Sequence, residues 1–140
     1  MIGQVLGVDL VTFSIHGDGR GSLIAIEAKK DLNFDIKRVY YIFDTKEGVV
    51  RGKHAHRNIN QILICVNGTC DIELFDGKNE TTVRLSDPAQ GIFIEGYIWR
   101  EMKNFSKGCV LLVLTDTEYA ATEYIYDKNS LREQDHENLG

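Results

Sequence analysis

The stretch "NQILICVNGTCDIELFDG", Asn60 to Gly77, decides the fold. Two strand-length apolar runs flank an Asn-Gly pair, Asn67 and Gly68, and a second turn signal, "DGKN", begins at Asp76. Asn-Gly suits the left-handed backbone of a tight turn, so the stretch reads as a β-hairpin turning at Asn67 to Thr69. The same signature recurs outward in both directions. "QVLGVDLVTF", "GSLIAIEA", "KRVYYIFD", "ETTVRLS", "QGIFIEG", "WREMKNF" and "GCVLLVLTD" are short apolar runs bounded by turn residues. Eight or nine strands, one proline and 13 glycines imply an all-β antiparallel sandwich or barrel.

Helical pattern is scarce. "DTEYAATEYIYDKNSLREQDHENLG" has room for a short helix near its start and then becomes a polar tail from about residue 128 to 140. His136 falls in that tail and is assigned no function. The 140 residues suit a single domain, 1–140, and the 43% hydrophobic content suffices for one core.

Composition excludes several classes of function. A net charge of −5 and a pI of about 5.3 provide no general basic field for nucleic acid or anionic membrane. The longest apolar run, "CVLLVL" (Cys109 to Leu114), is too short to span a bilayer as a helix. The N-terminal stretch has no basic region followed by an apolar core and a small-residue cleavage site. Three cysteines, Cys65, Cys70 and Cys109, are odd in number and form no CxxC pair. They read as reduced core residues, and the expectation is a cytoplasmic protein.

Chemistry concentrates in "RGKHAHRNINQ", Arg51 to Gln61, which holds two of the four histidines. On an extended strand His54 and His56 project to the same side. In "KRVYYIFD", Arg38, Tyr40 and Ile42 share one face, opposite Val39, Tyr41 and Phe43. That first face is either one wall of a polar pocket or a half-exposed surface.

The pattern Gly52-x-His54-x-His56-x4-Gln61-x6-Gly68 resembles the first motif of the cupin superfamily. The resemblance implies a jelly-roll barrel, a double-stranded β-helix. The second cupin motif resembles "DPAQGIFIEGYIWREM", Asp87 to Met102. Metal-binding cupins carry glutamate where this chain has Gln61, and a further histidine where it has Arg100. Gln61 is a weak neutral donor, and a guanidinium offers no lone pair and repels a cation. No metal and no other cofactor are therefore expected, which leaves imidazole acid–base chemistry near neutral pH.

Within the cupins, the phrases "DGRGSLIAIE", "FDIKRVYYIFDT", "RGKHAH", "QILICVNG" and "WREM" resemble, in register, the sugar nucleotide 3,4-ketoisomerases. That family isomerises dTDP-4-keto-6-deoxyglucose to a dTDP-3-keto-6-deoxyhexose and is dimeric. The resemblance implies His54 as catalytic base, His56 as the second histidine, Tyr40 in the sugar pocket and Arg51 on the pyrophosphate. Arg20 and Arg100 match positions that differ between the gluco and galacto subgroups, and this chain combines one residue from each. From the residue chemistry, Arg100 or Arg20 stabilises an enediolate, and Arg38 joins Arg51 on phosphate. Gln61, Trp99 and Glu101 complete the candidate substrate-binding set. Trp99 is equally a core residue, and Glu101 is a candidate to orient a histidine or an arginine. The alternatives are a 3,5-epimerase-like cupin, a non-catalytic sugar- or anion-binding cupin, and a metal-dependent cupin dioxygenase. The expected partners are a dTDP-linked keto-deoxysugar and a second copy of the chain, with the N-terminal segment Gln4 to Phe13 adding a strand across the dimer.

Overall fold

A computed structural model describes residues 1–120 and 123–132; His136 and the tail beyond 132 lie outside the described residues. Twelve strands are described: β1 (Val8–Thr12), β2 (His16–Asp18), β3 (Gly21–Leu23), β4 (Arg38–Ile42), β5 (Arg51–His56) and β6 (Asn60–Asn67), then β7 (Cys70–Phe75), β8 (Glu80–Leu85), β9 (Gln90–Glu95), β10 (Trp99–Lys103), β11 (Val110–Thr115) and β12 (Tyr124–Ile125). They form two five-stranded antiparallel sheets, β1-β9-β6-β11-β4 and β12-β5-β10-β7-β8, and a separate hairpin of β2 and β3. Chain neighbours β6 and β7 fall in different sheets, and each sheet is assembled from distant segments, as in a cupin jelly roll.

The hairpin expected at Asn67 to Thr69 does not form: β6 pairs with β9 and β11, β7 pairs with β8 and β10, and the turn carries the chain from one sheet to the other. β6 is apolar on both faces because both are covered. Leu63 and Cys65 face the core between the sheets, with Ile72, Ile92, Met102 and Val113. Ile62 and Ile64 face outward and are buried under Phe13, Leu32 and Phe34. This double burial explains the unbroken "ILIC" run, where one solvated face would have required alternation.

Gly68 at the turn has φ of 74°, and a Cβ there would stand 2.4 Å from Ser106 Oγ and 3.0 Å from Cys109 Cα. Only glycine allows the turn to close onto the loop before β11, where Ser106 Oγ accepts a hydrogen bond from Thr69 N at 2.8 Å.

Two further sequence expectations change. "GSLIAIEA" is strand only at Gly21–Leu23; Ile24 and Ile26 instead lie as irregular chain against the outer face of the first sheet. The chain there turns under Asp31, whose carboxylate accepts from Glu27 N at 2.8 Å. The expected helix at the start of the C-terminal segment is replaced by β12, with one helical turn only at 129–132. The physical reason is apolar cover. Ile125 and Leu131 seal Ala55, Phe75 and Trp99 on the outside of the second sheet, and Tyr124 pairs with His56. β1 pairs with β9 of its own chain, in register Val8 to Ile94 through Thr12 to Gln90. No helix among the described residues is long and apolar enough to cross a membrane.

Candidate active site

β5 and β10 carry the histidines and the buried arginine on facing positions. Arg100 is the register partner of His54, and a bulge follows, so that Glu101 pairs with Gly52 and Met102 with Arg51. Gly52 and Lys53 both take positive φ, 87° and 51°, which accommodates the extra residue. The bulge brings Arg51 into register with Met102, on the His54 and Arg100 face of the sheet, although 51 and 54 differ in parity. Arg51 is exposed, as suits the rim of the barrel.

The two rings form one hydrogen-bonded unit. His54 Nδ1 lies 2.9 Å from the carbonyl of Gly52, so it carries the proton and donates. His54 Nε2 is then a lone pair, 3.1 Å from His56 Nε2, which must be the donor. His56 Nδ1 is left as a buried lone pair without a partner. Burial, and after it the Arg100 cation, push the pKa of His54 down to about 4 and that of His56 to about 2. Both rings are neutral at pH 7, the form a general base needs.

Arg100 is fully buried. Its Nε and Nη2 donate to the carbonyl of Ile98 at 3.3 and 3.0 Å, and Nη1 has no partner. Burial lowers its pKa only to about 10, so the guanidinium stays charged. Gln61 is also fully buried, with both side-chain amide atoms unpartnered. Orphaned polar atoms on His56, Gln61 and Arg100 mark a polar interior that a ligand or water must complete.

Arg38 faces inward from β4, its guanidinium 4.6 Å from the ring centre of Tyr40 and 5.2 Å from that of Tyr119. Its Nη1 donates to Tyr124 Oη at 3.3 Å. Among the described residues neither Arg38, Arg51 nor Arg100 is paired with a carboxylate, in a chain of net charge −5. Such arginines suit an anionic ligand. Tyr40 is largely buried and its phenol is pushed up by that burial, so it stays protonated.

Tyr124 is the residue that sequence reasoning missed. Its ring centre lies 4.9 Å from that of His54 and 4.4 Å from that of His56, and 5.9 Å from the stacked ring of Tyr126. The alternating aromatics of "YIY", Tyr124 to Tyr126, were the available signal, hidden in a segment that read as helix and tail.

Three of the candidates stand elsewhere. Trp99 and Glu101 alternate with Arg100 and fall on the outer face of β10. There Trp99 packs with Phe75 and Ile125, and its indole N–H donates to Glu101 at 3.2 Å. Their expected substrate contacts give way to packing because a strand cannot present adjacent residues to one side. Arg20 sits at the turn of the β2–β3 hairpin, 92% exposed, its guanidinium paired with Asp18 at 2.6 Å. No described contact brings it to the histidines of its own chain.

The donor set does not fit the metal of other cupins. Two imidazoles, a neutral amide and a buried guanidinium place a cation where a further anionic or neutral ligand is needed.

Residues 6–136 match the family model described as "FdtA: WxcM-like, C-terminal". The chain belongs to this family. A TDP-4-oxo-6-deoxy-alpha-D-glucose-3,4-oxoisomerase of Aneurinibacillus thermoaerophilus is 46% identical over 116 residues, covering 83% of this chain and 84% of that protein. The 3,4-ketoisomerase QdtA of Thermoanaerobacterium thermosaccharolyticum, solved as a histidine-to-asparagine variant with TDP-4-keto-6-deoxyglucose, superposes with a TM-score of 0.93. Its identity is 38%, over 97% of this chain and 99% of that one. The WlaRB TDP-quinovose 3,4-ketoisomerase of Campylobacter jejuni is 46% identical over 92% and 99% of the two chains, with a TM-score of 0.88. A 4-keto-6-deoxy sugar epimerase of Streptomyces spheroides, at 17% identity and a TM-score of 0.74, shares the fold alone.

Proposed function

We propose that this family member is a metal-independent isomerase that moves the ketone of dTDP-4-keto-6-deoxyglucose from C4 to C3, giving a dTDP-3-keto-6-deoxyhexose for deoxysugar biosynthesis in the cytoplasm. The observation that carries the reading is the neutral His54–His56 pair set against a buried arginine that has no carboxylate partner among the described residues. The named activities of the relatives support it.

The C3 proton is acidified by the neighbouring C4 ketone. As the sugar enters, the His56 N–H gives up its bond to His54 Nε2; that lone pair, maintained by the Nδ1–H bond to Gly52, takes the C3 proton, and the electron pair moves to O4 as an enediolate. Arg100 stabilises the negative charge, with its free Nη1 as the available donor. The O3 hydroxyl proton passes to O4, the carbonyl forms at C3, and C4 receives a proton from the histidine unit. His56, Tyr40 and Tyr124 are the groups placed to relay between the two oxygens. Arg38 and the rim residue Arg51 neutralise the pyrophosphate, and Gln61 hydrogen-bonds the sugar.

Incubation with dTDP-4-keto-6-deoxyglucose in deuterated water, followed by NMR, tests this directly. The expected product has a ketone at C3 and deuterium at C4. An unchanged sugar under conditions of demonstrated nucleotide binding overturns the reading, and exchange at C5 without ketone migration assigns epimerase chemistry instead.

A second copy of the chain is the proposed protein partner. On the edge strand β4, Val39 and Tyr41 are 54% and 61% exposed, and Phe43 just beyond it is 57% exposed, an apolar stripe beside an open sheet edge. Light scattering on the purified chain is expected to give twice the 15.9 kDa chain mass, and Tyr41→Lys to reduce it to one chain. A monomeric mass for the unaltered chain rules the pairing out.

A further inference from the structure

The proposed catalysis leaves three buried thiols without a role. Cys65 lies near the end of β6, four residues beyond Gln61 and so about 13 Å of strand from it. Cys70 opens β7 across the turn, and Cys109 precedes β11. Cys65 and Cys70 are fully buried, Cys109 is 3% exposed, and none is in a disulfide. The three belong to the same apolar core between the sheets, and all three sulfurs lie within 4.8 Å of one another.

The spacing discriminates between two uses of sulfur. Cys65 and Cys109 sulfurs are 3.5 Å apart, whereas a disulfide needs about 2 Å and would leave the third thiol over. An ion bonded to three sulfurs at about 2.3 Å holds them about 4 Å apart, which falls within the observed spread. We propose that Cys65, Cys70 and Cys109 form a three-sulfur site for a soft thiophilic metal ion of the zinc or copper(I) class.

Ion uptake replaces S–H bonds by S–metal bonds, releases up to three protons to solvent and moves no electrons between ion and protein. Before uptake, burial pushes the Cys65 thiol up to about 12 and the Cys70 thiol up as well, so both rest as neutral thiols. Cys65 Sγ donates toward the carbonyls of Asn67 and Gly68 at 3.2 and 3.3 Å, which leaves its lone pairs for Cys109 or an ion. Cys109 also borders a surface cavity of about 650 Å³, whose wall carries the carboxylates of Asp44 and Glu47 beside the ammonium groups of Lys46 and Lys107. That cavity is the path of entry, and its carboxylates give an arriving cation its first oxygen contacts.

Titration of the full, reduced, metal-stripped chain with Cd²⁺ tests the site. The expected result is a sulfur-to-cadmium charge-transfer band that saturates at one ion per chain. Binding should release protons and weaken as pH falls, and one equivalent of Cu⁺, which thiolates hold more tightly than Cd²⁺, should displace the Cd²⁺. Cys70→Ser is expected to weaken binding at least tenfold while leaving ketoisomerase turnover unchanged. Should that variant fail to fold, alkylation of the unaltered chain reads the same site, since one equivalent of Cd²⁺ must protect all three thiols. Absence of the band, protection of fewer than three thiols, no displacement by Cu⁺, or undiminished binding in Cys70→Ser overturns the proposal.

Discussion

Replacing His54 with asparagine is expected to lower kcat by roughly 100- to 10 000-fold, the range that a positioned general base supplies, while KM and nucleotide binding change little. The loss follows from the tautomer. Only the ring whose Nδ1–H is held by the Gly52 carbonyl has a lone pair on Nε2 directed at its neighbour, and an amide cannot take a proton at neutral pH. NMR of the keto sugar measures turnover, and calorimetry with dTDP measures binding. Turnover within tenfold of the unaltered chain would transfer the base role to His56. The same substitution has a second readout in stability. The folded-state pKa of His54, about 4, lies below the ordinary 6.5, so between these values the unfolded chain binds the extra proton. Stability conferred by the neutral ring is full above pH 6.5 and is lost as pH falls toward 4. The decline in denaturation midpoint across that window should be shallower in His54→Asn.

Arg100→Met is expected to move activity and stability in opposite directions. Removing the enediolate donor should lower kcat about 100- to 1000-fold. Folding should gain at least about 1 kcal/mol, because a fully buried guanidinium that lacks a carboxylate costs more than its two bonds to Ile98 O return. Urea denaturation reads the gain, and a midpoint lower than that of the unaltered chain would contradict the view of Arg100 as an uncompensated charge kept for function. The cation is also the second cause of the depressed histidines, after burial. Proton NMR of the imidazole C2–H resonances should therefore show both rings titrating at higher pH in the variant, though still below 6.5, since burial remains.

The strands were legible wherever neighbours in the chain carried the signal. The Asp76–Asn79 turn between β7 and β8 and the alternation of Arg38 and Tyr40 with Val39 and Tyr41 are properties of adjacent residues, and they survive in the fold. "GSLIAIEA" failed because its apolar residues serve as cover for the outer face of β6 rather than as rungs of a ladder. Trp99 and Glu101 neighbour Arg100 in the sequence but lie on the other face of β10, because adjacent strand residues point to opposite faces.

Sequence by itself determined the all-β class, the same-face histidine pair and the neutral amide and guanidinium that stand where metal-binding cupins have ligands, because residue type and a two-residue period suffice for these. Tertiary structure alone decided the rest. The bulge at Gly52 and Lys53 brings Arg51 into register with the site, and β12 carries Tyr124 onto histidines 68 and 70 residues earlier. The three thiols meet only where the two sheets close. Each of these depends on pairing between distant segments, and such pairing is chosen by the burial of whole faces, which no local stretch of sequence encodes.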